Sequence, residues 1–459
     1  MAGLIISYSG IRGIVGESLT PKVAAQYGHA FAALLRQAGH ERGRLLIARD
    51  TRPSGVELTQ AVTQGIGGAF ELVDLGVVPT PTLQHAMRPF EAVGAVCVTA
   101  SHNPTAWNGM KFFLGPDNTV LDGKQTTALC KLAEGDAVEV AATHARPVTR
   151  DAHADAVRQH LEAVYSHLDV AKIRKRRFRV ALDSARGAGT EISQTLLHEL
   201  GCEVLAVDAS RESEPVPENL TVLKQAVLRE RCDLGVAQDL DADRLALVTE
   251  RGEAPGEERT LVLVLAHLLT RFASGERVVV KNIATTRAVD DVVRAHGATL
   301  EETRVGEVNL SRALMRARAR GVTTFGGEGN GGVIYPPVSL GRDSIVGIGF
   351  VLEALAGEAA PLSQRLGWLP TYAMTKVKLA RPDAIPLDEV YTRIAALFPE
   401  GGMSQPDGLR LTFADGAWVS VRPSNTEPVL RLVVEAPSAA WTEKVARRIA
   451  EAIQGGGTA

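Results

Sequence analysis

Segments typical of buried strands alternate with amphipathic segments along most of the chain. RLLIARD has the pattern of a buried strand, residues 55–70 that of an amphipathic helix, and ELVDLG that of the next strand. A further helix is predicted over Pro21–Gln37, because Thr20 can cap its first turn and Gly39 follows its end. The repeated strand–helix–strand order predicts an α/β architecture, in which helices cover both faces of mainly parallel sheets.

Predicted strands lead into three polar or glycine-rich loops. GAVCVTAS leads to Ser101 and LGVAQDL leads to Asp239. VTTFGG, which follows a helix predicted over residues 310–319, leads to Glu328. In open α/β sheets, ligands bind outside the carboxyl ends of the strands. We therefore expect these three loops to carry the chemistry.

The C-terminal part of the chain has a different pattern. From about Thr371, strand-like segments cluster around two predicted helices, at residues 387–397 and 439–453. This order predicts a smaller α+β unit with an antiparallel sheet. We place the domain boundaries in stretches that are polar or contain Gly or Pro. The predicted domains then cover residues 1–150, 151–252, 253–368 and 369–459.

The composition indicates a multidomain globular chain that does not bind polyanions in bulk. At about 150 residues per domain, length alone predicts about three domains, and the pattern of loops raises the number to four. Lys and Arg total 50 against 53 Asp and Glu, which gives a formal net charge of −3. A nucleic-acid-binding domain is usually strongly basic, and the basic run at residues 172–179 is interpreted as a solvated segment. No nucleic-acid partner is therefore expected.

The sequence also argues against export and membrane insertion. The N-terminal residues lack the basic start, apolar stretch and cleavage site of a signal peptide. The longest apolar stretch, residues 261–269, is about half the length needed to cross a bilayer. The four cysteines are scattered without a C-x-x-C pair, a pattern typical neither of a zinc site nor of a disulfide framework. We therefore expect a cytoplasmic protein without a membrane partner, and the sequence does not indicate its oligomeric state.

The first candidate site is TASHNP at residues 99–104, which is followed by NGMK at residues 108–111. A hydroxyl at the end of a strand can accept a phosphoryl group if neighbouring groups balance the new charge. Ser101 is therefore a candidate phosphoryl acceptor, although an Asn-Pro turn with an incidental serine would give the same pattern. His102 is interpreted as structural, since a residue adjacent to Ser101 need not face its hydroxyl.

The second candidate is DLDADR at residues 239–244, which carries carboxylates at alternating positions. On one turn, Asp239, Asp241 and Asp243 can converge on a hard cation. A ligand set of oxygens alone suits Mg²⁺ rather than Zn²⁺. Arg244 adds a fork-shaped phosphate ligand beside them. The alternative is an exposed acidic turn, but three Asp residues at the end of an apolar strand favour the metal site.

The third candidate is GGEGNGG at residues 326–332, which formally satisfies G-x-G-x-x-G. A dinucleotide-binding loop should open a helix, whereas here an apolar run ending in two prolines follows. Glu328 and Asn330 could instead bind the hydroxyls of a sugar. A flexible turn is the alternative.

Two further segments could bind anions. RPSNTEP at residues 422–428 offers many hydrogen-bond donors and little apolar surface, which favours a phosphate cradle over an ordinary β-turn. In this cradle the donors are Arg422, Ser424, Asn425 and Thr426. Arg12, within SGIRG, could meet an anion or could simply lie in a glycine turn.

Together these segments resemble the α-D-phosphohexomutase family over essentially the whole chain. TASHNP with NGMK is similar to the family's phosphoserine loop, and DLDADR to its metal loop. GGEGNGG resembles the sugar-binding loop, RPSNTEP the phosphate-binding loop, and YSGIRG the N-terminal segment. The resemblance implies three related α/β/α domains with mixed, mainly parallel sheets. A smaller C-terminal α+β domain would complete a central cleft.

The resemblance also implies roles for individual residues. Ser101 would carry the catalytic phosphate, whose oxygen would complete a Mg²⁺ site with the three carboxylates of residues 239, 241 and 243. Arg12, Lys111 and Arg244 would lie near the transferring group, with Lys111 a candidate general acid/base. The predicted substrate-binding residues are Glu328 and Asn330 for the sugar, and Arg422, Ser424, Asn425 and Thr426 for the non-reacting phosphate.

The implied activity interconverts hexose 1-phosphate and hexose 6-phosphate through a phosphoserine, with hexose 1,6-bisphosphate as intermediate and activator. A phosphoglucomutase/phosphomannomutase type is expected, and a phosphoglucosamine mutase with the same chemistry is the alternative. Asn330 and Gly332 stand where the family often has Ser and His, so the sugar loop does not select one sugar. The competing hypotheses from other classes are a serine-dependent sugar-phosphate phosphatase and a non-catalytic sugar-phosphate sensor.

Overall fold

The computed structural model of the chain describes residues 3–7, 10–134, 149–209, 211–358, 360–381, 385–424 and 429–454. Its strands form one sheet in each of four consecutive domains, with helices packed against the sheets. None of the helices within the described ranges has the length and hydropathy of a bilayer-spanning segment.

The first domain is built around a mixed sheet. Its elements in chain order are β1 (Ile5–Ser7), β2 (Gly10–Ile14), α1 (Pro21–Gln37), β3 (Arg44–Arg49), α2 (Gly55–Ile66), β4 (Glu71–Val77), α3 (Thr80–Ala86), β5 (Ala92–Val98), β6 (Trp107–Leu114), β7 (Thr119–Val120), α4 (Gly123–Glu134) and β8 (Thr149–Asp151). The strand order is β1-β2-β6-β5-β3-β4-β8, with β7 beside β6. Strands β3, β4, β5 and β8 pair in parallel, whereas β6 runs antiparallel to both β5 and β2.

The second and third domains repeat a shorter version of this plan. The second contains α5 (His153–Ser166), α6 (Val170–Arg176), β9 (Arg179–Asp183), α7 (Gly189–Glu199), β10 (Glu203–Ala206), α8 (Thr221–Glu230), β11 (Leu234–Gln238) and β12 (Leu245–Thr249). The third contains α9 (Glu258–Arg271), β13 (Arg277–Asn282), α10 (Ala288–Ala295), β14 (Thr299–Thr303), α11 (Glu307–Ala319), β15 (Thr323–Glu328), β16 (Gly332–Ile334), α12 (Ser344–Gly357) and α13 (Leu362–Gly367). The sheet orders are β10-β9-β11-β12 and β14-β13-β15-β16, and in each the last strand is antiparallel to its neighbour.

The three sheets place their site loops at the same kind of connection. The loop of Ser101 joins β5 to β6, the loop of Asp239 joins β11 to β12, and the loop at Glu328 joins β15 to β16. In each case a strand that pairs in parallel with one neighbour is followed by an antiparallel return strand. The expectation that polar loops follow the carboxyl ends of strands is therefore confirmed.

The fourth domain is a smaller antiparallel α+β unit, as the sequence predicts. Its elements are β17 (Ala373–Ala380), α14 (Leu387–Leu397), β18 (Gly402–Ser404), β19 (Leu409–Thr412), β20 (Trp418–Pro423), β21 (Val429–Ala436) and α15 (Ala439–Gln454). The strands lie in the order β17-β21-β20-β19-β18. Its apolar cluster, which includes Leu432 and Ile449, is separate from the continuous cluster that joins Leu75, Leu182 and Ile348 of the first three domains.

Predicted and observed elements differ where local signals compete with packing. The Thr20 hydroxyl accepts a hydrogen bond from the Val23 amide at the start of α1, as predicted. Helix α2 ends at Ile66 rather than at residue 70, because Gly67 leaves the helical conformation with a φ of 72°. Helix α11 begins at Glu307 instead of residue 310. The sequence pattern also predicts no element where α12 forms. This helix is enclosed by protein and apolar on every side, so it lacks the alternation of polar and apolar positions that indicates an amphipathic helix.

Candidate active site

A cleft of about 360 Å³ lies between the four domains. Its lining includes Arg12, Ser101, His102, Glu214, Arg244, Glu258, Asn282, Glu307, Glu328, Asn330, Arg342, Lys376, Lys378, Arg422, Ser424 and Arg431. Three segments therefore meet at one cavity. They are the loop of Ser101 (the serine loop), the loop of Glu328 and Asn330 (the sugar loop) and the start of the RPSNTEP segment (the phosphate loop). The carboxylates of the metal loop are fully buried next to Ser101 and Arg244.

Ser101 is buried and held in a fixed conformation at the end of β5. Its φ of 52° lies in the left-handed region, which is uncommon for a residue other than glycine. The Ser101 amide donates to the Thr99 hydroxyl at 2.9 Å, and the Ser101 hydroxyl donates to Asp239 Oδ2 at 3.0 Å. The nucleophile predicted from one domain thus contacts the metal loop of the next.

Arg52, for which the sequence predicts no role, holds the serine loop through hydrogen bonds to its carbonyls. Its Nη2 donates to the Ser101 carbonyl at 2.7 Å, and its Nε donates to Asp50 Oδ2 at 3.1 Å. The same carboxylate oxygen accepts a hydrogen bond from the Thr99 hydroxyl at 2.6 Å. Further carbonyls that Arg52 contacts are those of Asn103, Pro104 and Trp107. One buried guanidinium therefore fixes both sides of Ser101, the carbonyl directly and the amide through Asp50 and Thr99.

The three predicted metal ligands converge as expected from their spacing. Asp239, Asp241 and Asp243 each offer an oxygen, and these oxygens lie within 4.8 Å of one another. Within the described part of the chain, Oδ1 of Asp241 and Oδ1 of Asp243 are buried without a hydrogen-bond partner. Burial, followed by repulsion from the other two carboxylates, raises the pKa of Asp239 well above its usual range. Unpartnered oxygens among crowded carboxylates fit a hard divalent cation.

Residues of other domains hold the metal loop in place. The Thr80 amide donates to the Asp241 carbonyl at 3.0 Å, and its hydroxyl donates to Asp241 Oδ2 at 2.7 Å. From the third domain, the Ser344 hydroxyl donates to the carbonyl of Ala242, whose φ is 53°. Side chains of the first and third domains therefore hold the metal loop of the second domain.

Lys111 contacts the metal loop and not the serine hydroxyl. Its Nζ lies 2.5 Å from Asp241 Oδ2 and 3.1 Å from Asp243 Oδ2. Burial lowers the pKa of Lys111, but the attraction of the two carboxylates is stronger and leaves its pKa raised overall. The two carboxylates thus favour the charged form of Lys111, which is the form that a general acid needs.

Two arginines that the sequence predicts near the transferring group line the cleft. Arg12 Nη1 donates to Asn103 Oδ1 at 2.5 Å, and burial lowers the pKa of Arg12 to about 10, so it remains charged. Arg244 donates from Nη1 to Glu214 Oε1 at 2.8 Å and from Nη2 to His102 Nδ1 at 2.9 Å. Burial and the charge of Arg244 hold the pKa of His102 well below its usual range, so this ring is neutral. His102 supports Arg244 and also forms part of the cleft wall.

The sugar loop is tied to the metal loop through Arg342, another residue without a predicted role. Glu328 accepts from Asn282 Nδ2 at 2.7 Å and from Arg342 Nη1 at 2.5 Å. Arg342 Nη2 donates to Asp243 Oδ2 at 2.6 Å. Asn330 Oδ1 accepts from the Gly332 amide at 3.2 Å. Glu328 and Asn330 both line the cleft, and Glu328 is held there by charge, while their binding of a sugar stays a prediction.

A row of cations crosses the sheet of the fourth domain. Lys378 on β17 lies opposite Arg431 on β21, and Arg431 lies opposite Arg422 on β20. Directly opposed residues share one face of a sheet, and all three side chains line the cleft. Like charges opposite one another destabilise a sheet, so an anion bound over this row would relieve their repulsion.

Of the predicted phosphate loop, Arg422 and Ser424 lie within the described residues. Ser424 donates its amide to the Val429 carbonyl at 2.8 Å, and its hydroxyl accepts from Arg431 Nε at 3.4 Å. Asn425 and Thr426 lie outside the described residues. Lys376 and Lys378 were not predicted, although the alternation in KVK places both on one face of a strand.

Models of four domains of one family match the chain in order. Phosphoglucomutase/phosphomannomutase alpha/beta/alpha domains I, II and III match residues 4–137, 158–252 and 257–372, and the C-terminal domain matches residues 374–452. The chain therefore belongs to the phosphoglucomutase/phosphomannomutase family, whose members are phosphohexomutases, isomerases that transfer phosphate within a sugar phosphate. The boundaries of the four predicted domains stay predictions.

Similar proteins carry two functional names. A "Phosphoglucomutase/phosphomannomutase" of Thermococcus kodakarensis is 35% identical over 95% of this chain and 95% of its own. A "Probable phosphoglucosamine mutase" of Methanopyrus kandleri is 34% identical over 95% of this chain and 94% of its own. Among solved structures, a phosphoglucomutase/phosphomannomutase family protein of Burkholderia thailandensis has a TM-score of 0.81 at 26% identity, with 99% of this chain and 98% of that chain covered.

Proposed function

We propose that the chain interconverts hexose 1-phosphate and hexose 6-phosphate through a phosphoserine at Ser101 and a hexose 1,6-bisphosphate intermediate. The observation that carries this proposal is the contact of the Ser101 hydroxyl with Asp239 at 3.0 Å, in a cleft that also holds the cation row of the fourth domain. A phosphoryl acceptor and a second anion site in one cleft are what a mutase of this type needs.

The metal loop supplies the ligands for Mg²⁺. Asp239, Asp241 and Asp243 would hold the ion together with one oxygen of the phosphate on Ser101, since this donor set contains oxygen alone. When bound, the ion offsets negative charge on the phosphoryl group. Thr80 and Ser344 keep the carboxylates in position through the hydrogen bonds described above.

The transfer step exchanges one phosphate ester for another. The bond between phosphorus and Ser101 Oγ breaks as a bond forms to the free hydroxyl of the sugar. The proton lost by the sugar hydroxyl balances the one gained by Ser101 Oγ, so the exchange releases no net proton. Lys111 is our candidate for the acid that protonates Ser101 Oγ and then recovers the proton of the sugar hydroxyl, a role that requires its Nζ to move from Asp241 and Asp243. Arg12 and Arg244 stabilise the charge on the transferring group from the cleft wall.

The opposite end of the substrate is held by the fourth domain. The non-reacting phosphate would bind over Arg422 and its neighbours Lys378 and Arg431, while Glu328 and Asn330 receive sugar hydroxyls. The bisphosphate must then turn end for end within the cleft, so that its other phosphate faces Ser101. These contacts must accept the sugar in both orientations.

The preferred sugar is proposed as glucose or mannose, with glucosamine as the alternative. Relatives of similar identity carry both kinds of name. Values of kcat/KM for glucose 1-phosphate, mannose 1-phosphate and glucosamine 1-phosphate, measured on one preparation, decide between them.

The central test measures where phosphate resides and where it goes. After incubation with glucose 1,6-bisphosphate, the intact mass should rise by one phosphate, and Ser101→Ala should not show this rise. The exposed Ser166 is a suitable control, since Ser166→Ala should leave the rise unchanged. Release of inorganic phosphate without isomer would identify a phosphatase, and ligand binding without either product would identify a sensor.

A further inference from the structure

The side chain of Arg342 spans the gap between the metal loop and the sugar loop. Its Nη2 lies 2.6 Å from Asp243 Oδ2, its Nη1 lies 2.5 Å from Glu328 Oε2, and its Nε lies 3.2 Å from Glu307 Oε2. Only 11% of the Arg342 side chain is exposed. One guanidinium therefore joins carboxylates from three separate elements at the cleft wall.

The backbone that carries Arg342 is firmly supported. The next residue, Asp343, caps α12 by accepting hydrogen bonds from the amides of Ile345 and Val346. Asp343 also accepts a hydrogen bond from Nε2 of the fully buried His160 at 2.9 Å. The position of the guanidinium is therefore set from both ends, by its own backbone and by three carboxylates.

Gly332 leaves the space that the Arg342 side chain occupies. A Cβ atom at residue 332 would lie 2.2 Å from Cδ and 2.6 Å from Cγ of Arg342. These atoms lie in the middle of the side chain, so they cannot move aside while the guanidinium keeps its partners. The departure at Gly332 from the family's usual histidine is thus explained by the path of Arg342.

We propose that Arg342 is a positioning and specificity-determining residue of the sugar site, and that Gly332 is required because of it. By holding one oxygen of Glu328 at a fixed distance from Asp243, Arg342 sets where a sugar hydroxyl can bind relative to the reacting phosphate. This inference rests on the proposed mutase function. A carboxylate displaced by about 1 Å can lower turnover about 100-fold.

Arg342→Met, Arg342→Lys, Gly332→Ala and the double variant Gly332→Ala/Arg342→Met test this inference. For each variant, kcat and KM are measured with glucose 1-phosphate, mannose 1-phosphate and glucosamine 1-phosphate. Arg342→Met should lower kcat/KM about 100-fold, and it should change the ratio between the best and second-best sugar by about tenfold. Arg342→Lys should recover only part of this loss, because an ammonium cannot hold two carboxylates in a fixed fork.

The double variant separates positioning from general loss of structure. Gly332→Ala should lower kcat/KM at least about tenfold when Arg342 is present, and less than about twofold when residue 342 is Met. The midpoint of thermal unfolding should show the same non-additivity, which gives a readout independent of turnover. Gly367→Ala is the control, since a Cβ at residue 367 meets no atom within 4 Å.

Three outcomes would overturn the inference. An unchanged ratio among the sugars in Arg342→Met would remove the role in specificity. Additive effects of the two substitutions would show that Gly332 does not serve Arg342. Full activity of Gly332→Ala would show that the site does not require glycine at residue 332. Absence of isomer formation by the unaltered chain would instead overturn the proposed function, so the two failures are distinguishable.

Discussion

The two ends of the cleft are built in different ways. At the serine end, Ser101 and Asp239 are buried and receive hydrogen bonds from several elements, and the first three domains share one apolar cluster. At the end that we propose to hold the non-reacting phosphate, cations lie on one face of a sheet that has its own apolar cluster, and 44% of the Lys376 side chain is exposed. Under the proposed mechanism, breaking the phosphate ester needs a fixed geometry, whereas a bisphosphate that reorients in the cleft needs contacts that can be released and formed again.

Backbone conformation shows the same contrast. Ser101 and Ala242, in the serine and metal loops, both have left-handed φ values without being glycine. Such a conformation costs about 1 kcal/mol or more per residue, so surrounding contacts must stabilise it. Arg52 and Ser344 provide those contacts by binding the carbonyls of these two residues. Both of these strained residues lie where the chemistry is proposed, although Glu91, Asn118, Arg177 and Arg231 have the same conformation in other loops.

The largest effect is expected from the metal loop. Asp241→Asn removes one negative charge from the proposed ion site and weakens the contacts with Lys111 and Thr80. We expect Mg²⁺-dependent kcat to fall about 1000-fold, comparable to the loss of a group that stabilises charge in the transition state. Turnover at saturating MgCl₂ and Mg²⁺ binding by calorimetry measure the effect. Asp155→Asn, at an exposed carboxylate on α5, is the control, and equal losses in both variants would contradict the assignment.

A smaller effect is expected from the support of the serine loop. Arg52→Lys keeps the charge but cannot reach the carbonyls of Ser101, Asn103 and Trp107 together. We expect kcat to fall about 100-fold with a small change in KM, because the nucleophile is misplaced while the substrate-binding face is intact. Steady-state kinetics test this, with Arg44→Lys as the control at an exposed ion pair. A rise in KM at unchanged kcat would show that Arg52 does not act through Ser101.

The sequence predicts contacts that depend on local spacing and misses those that depend on the assembled fold. The alternating carboxylates from Asp239 to Asp243 and the capped helix α1 are both local, and both are found. The contact of Arg52 with Ser101 spans 49 residues, and that of Thr80 with Asp241 spans 161. No periodicity in the chain encodes such pairs, because they form only when whole domains pack.

Strand β6 illustrates a second limit. It contains Asn108 followed by Gly109, a pair that favours turns, yet it pairs with β2 on one side and β5 on the other. Gly109 is needed because a Cβ there would lie 2.6 Å from the Ile11 carbonyl oxygen. Tertiary packing therefore overrides the local signal, and it brings Lys111 to the metal loop.

At the other end of the cleft, substitution should affect binding rather than turnover. Arg422→Ala removes one cation of the row that would hold the non-reacting phosphate. We expect KM to rise about tenfold with kcat nearly unchanged, since this contact is the same in the ground state and the transition state. Arg393→Ala, on an exposed face of α14, is the matched control. A fall in kcat alone would place Arg422 with the chemistry and weaken the distinction between the two ends.

The smallest effect concerns the contact between the third and fourth domains. Glu258 lies 3.0 Å from Lys376 Nζ and accepts from the Thr286 amide, and burial raises the pKa of Glu258 to about 7. Because its folded pKa is above the unfolded value, the native state binds the proton more tightly, and stability falls as pH rises from about 4.5 to 7.

Glu258→Gln should remove this dependence. Relative to the variant, the unaltered chain should lose on the order of 1 kcal/mol of stability between pH 6.5 and pH 8, because the proton that Glu258 still holds just below its folded pKa of about 7 is lost over this interval. Thermal unfolding of both chains at the two pH values measures the difference. Lys376→Met should enlarge the loss, since the lysine lowers the pKa of Glu258. Parallel dependence of stability on pH in all three chains would mean that protonation of Glu258 does not affect the stability of the fold.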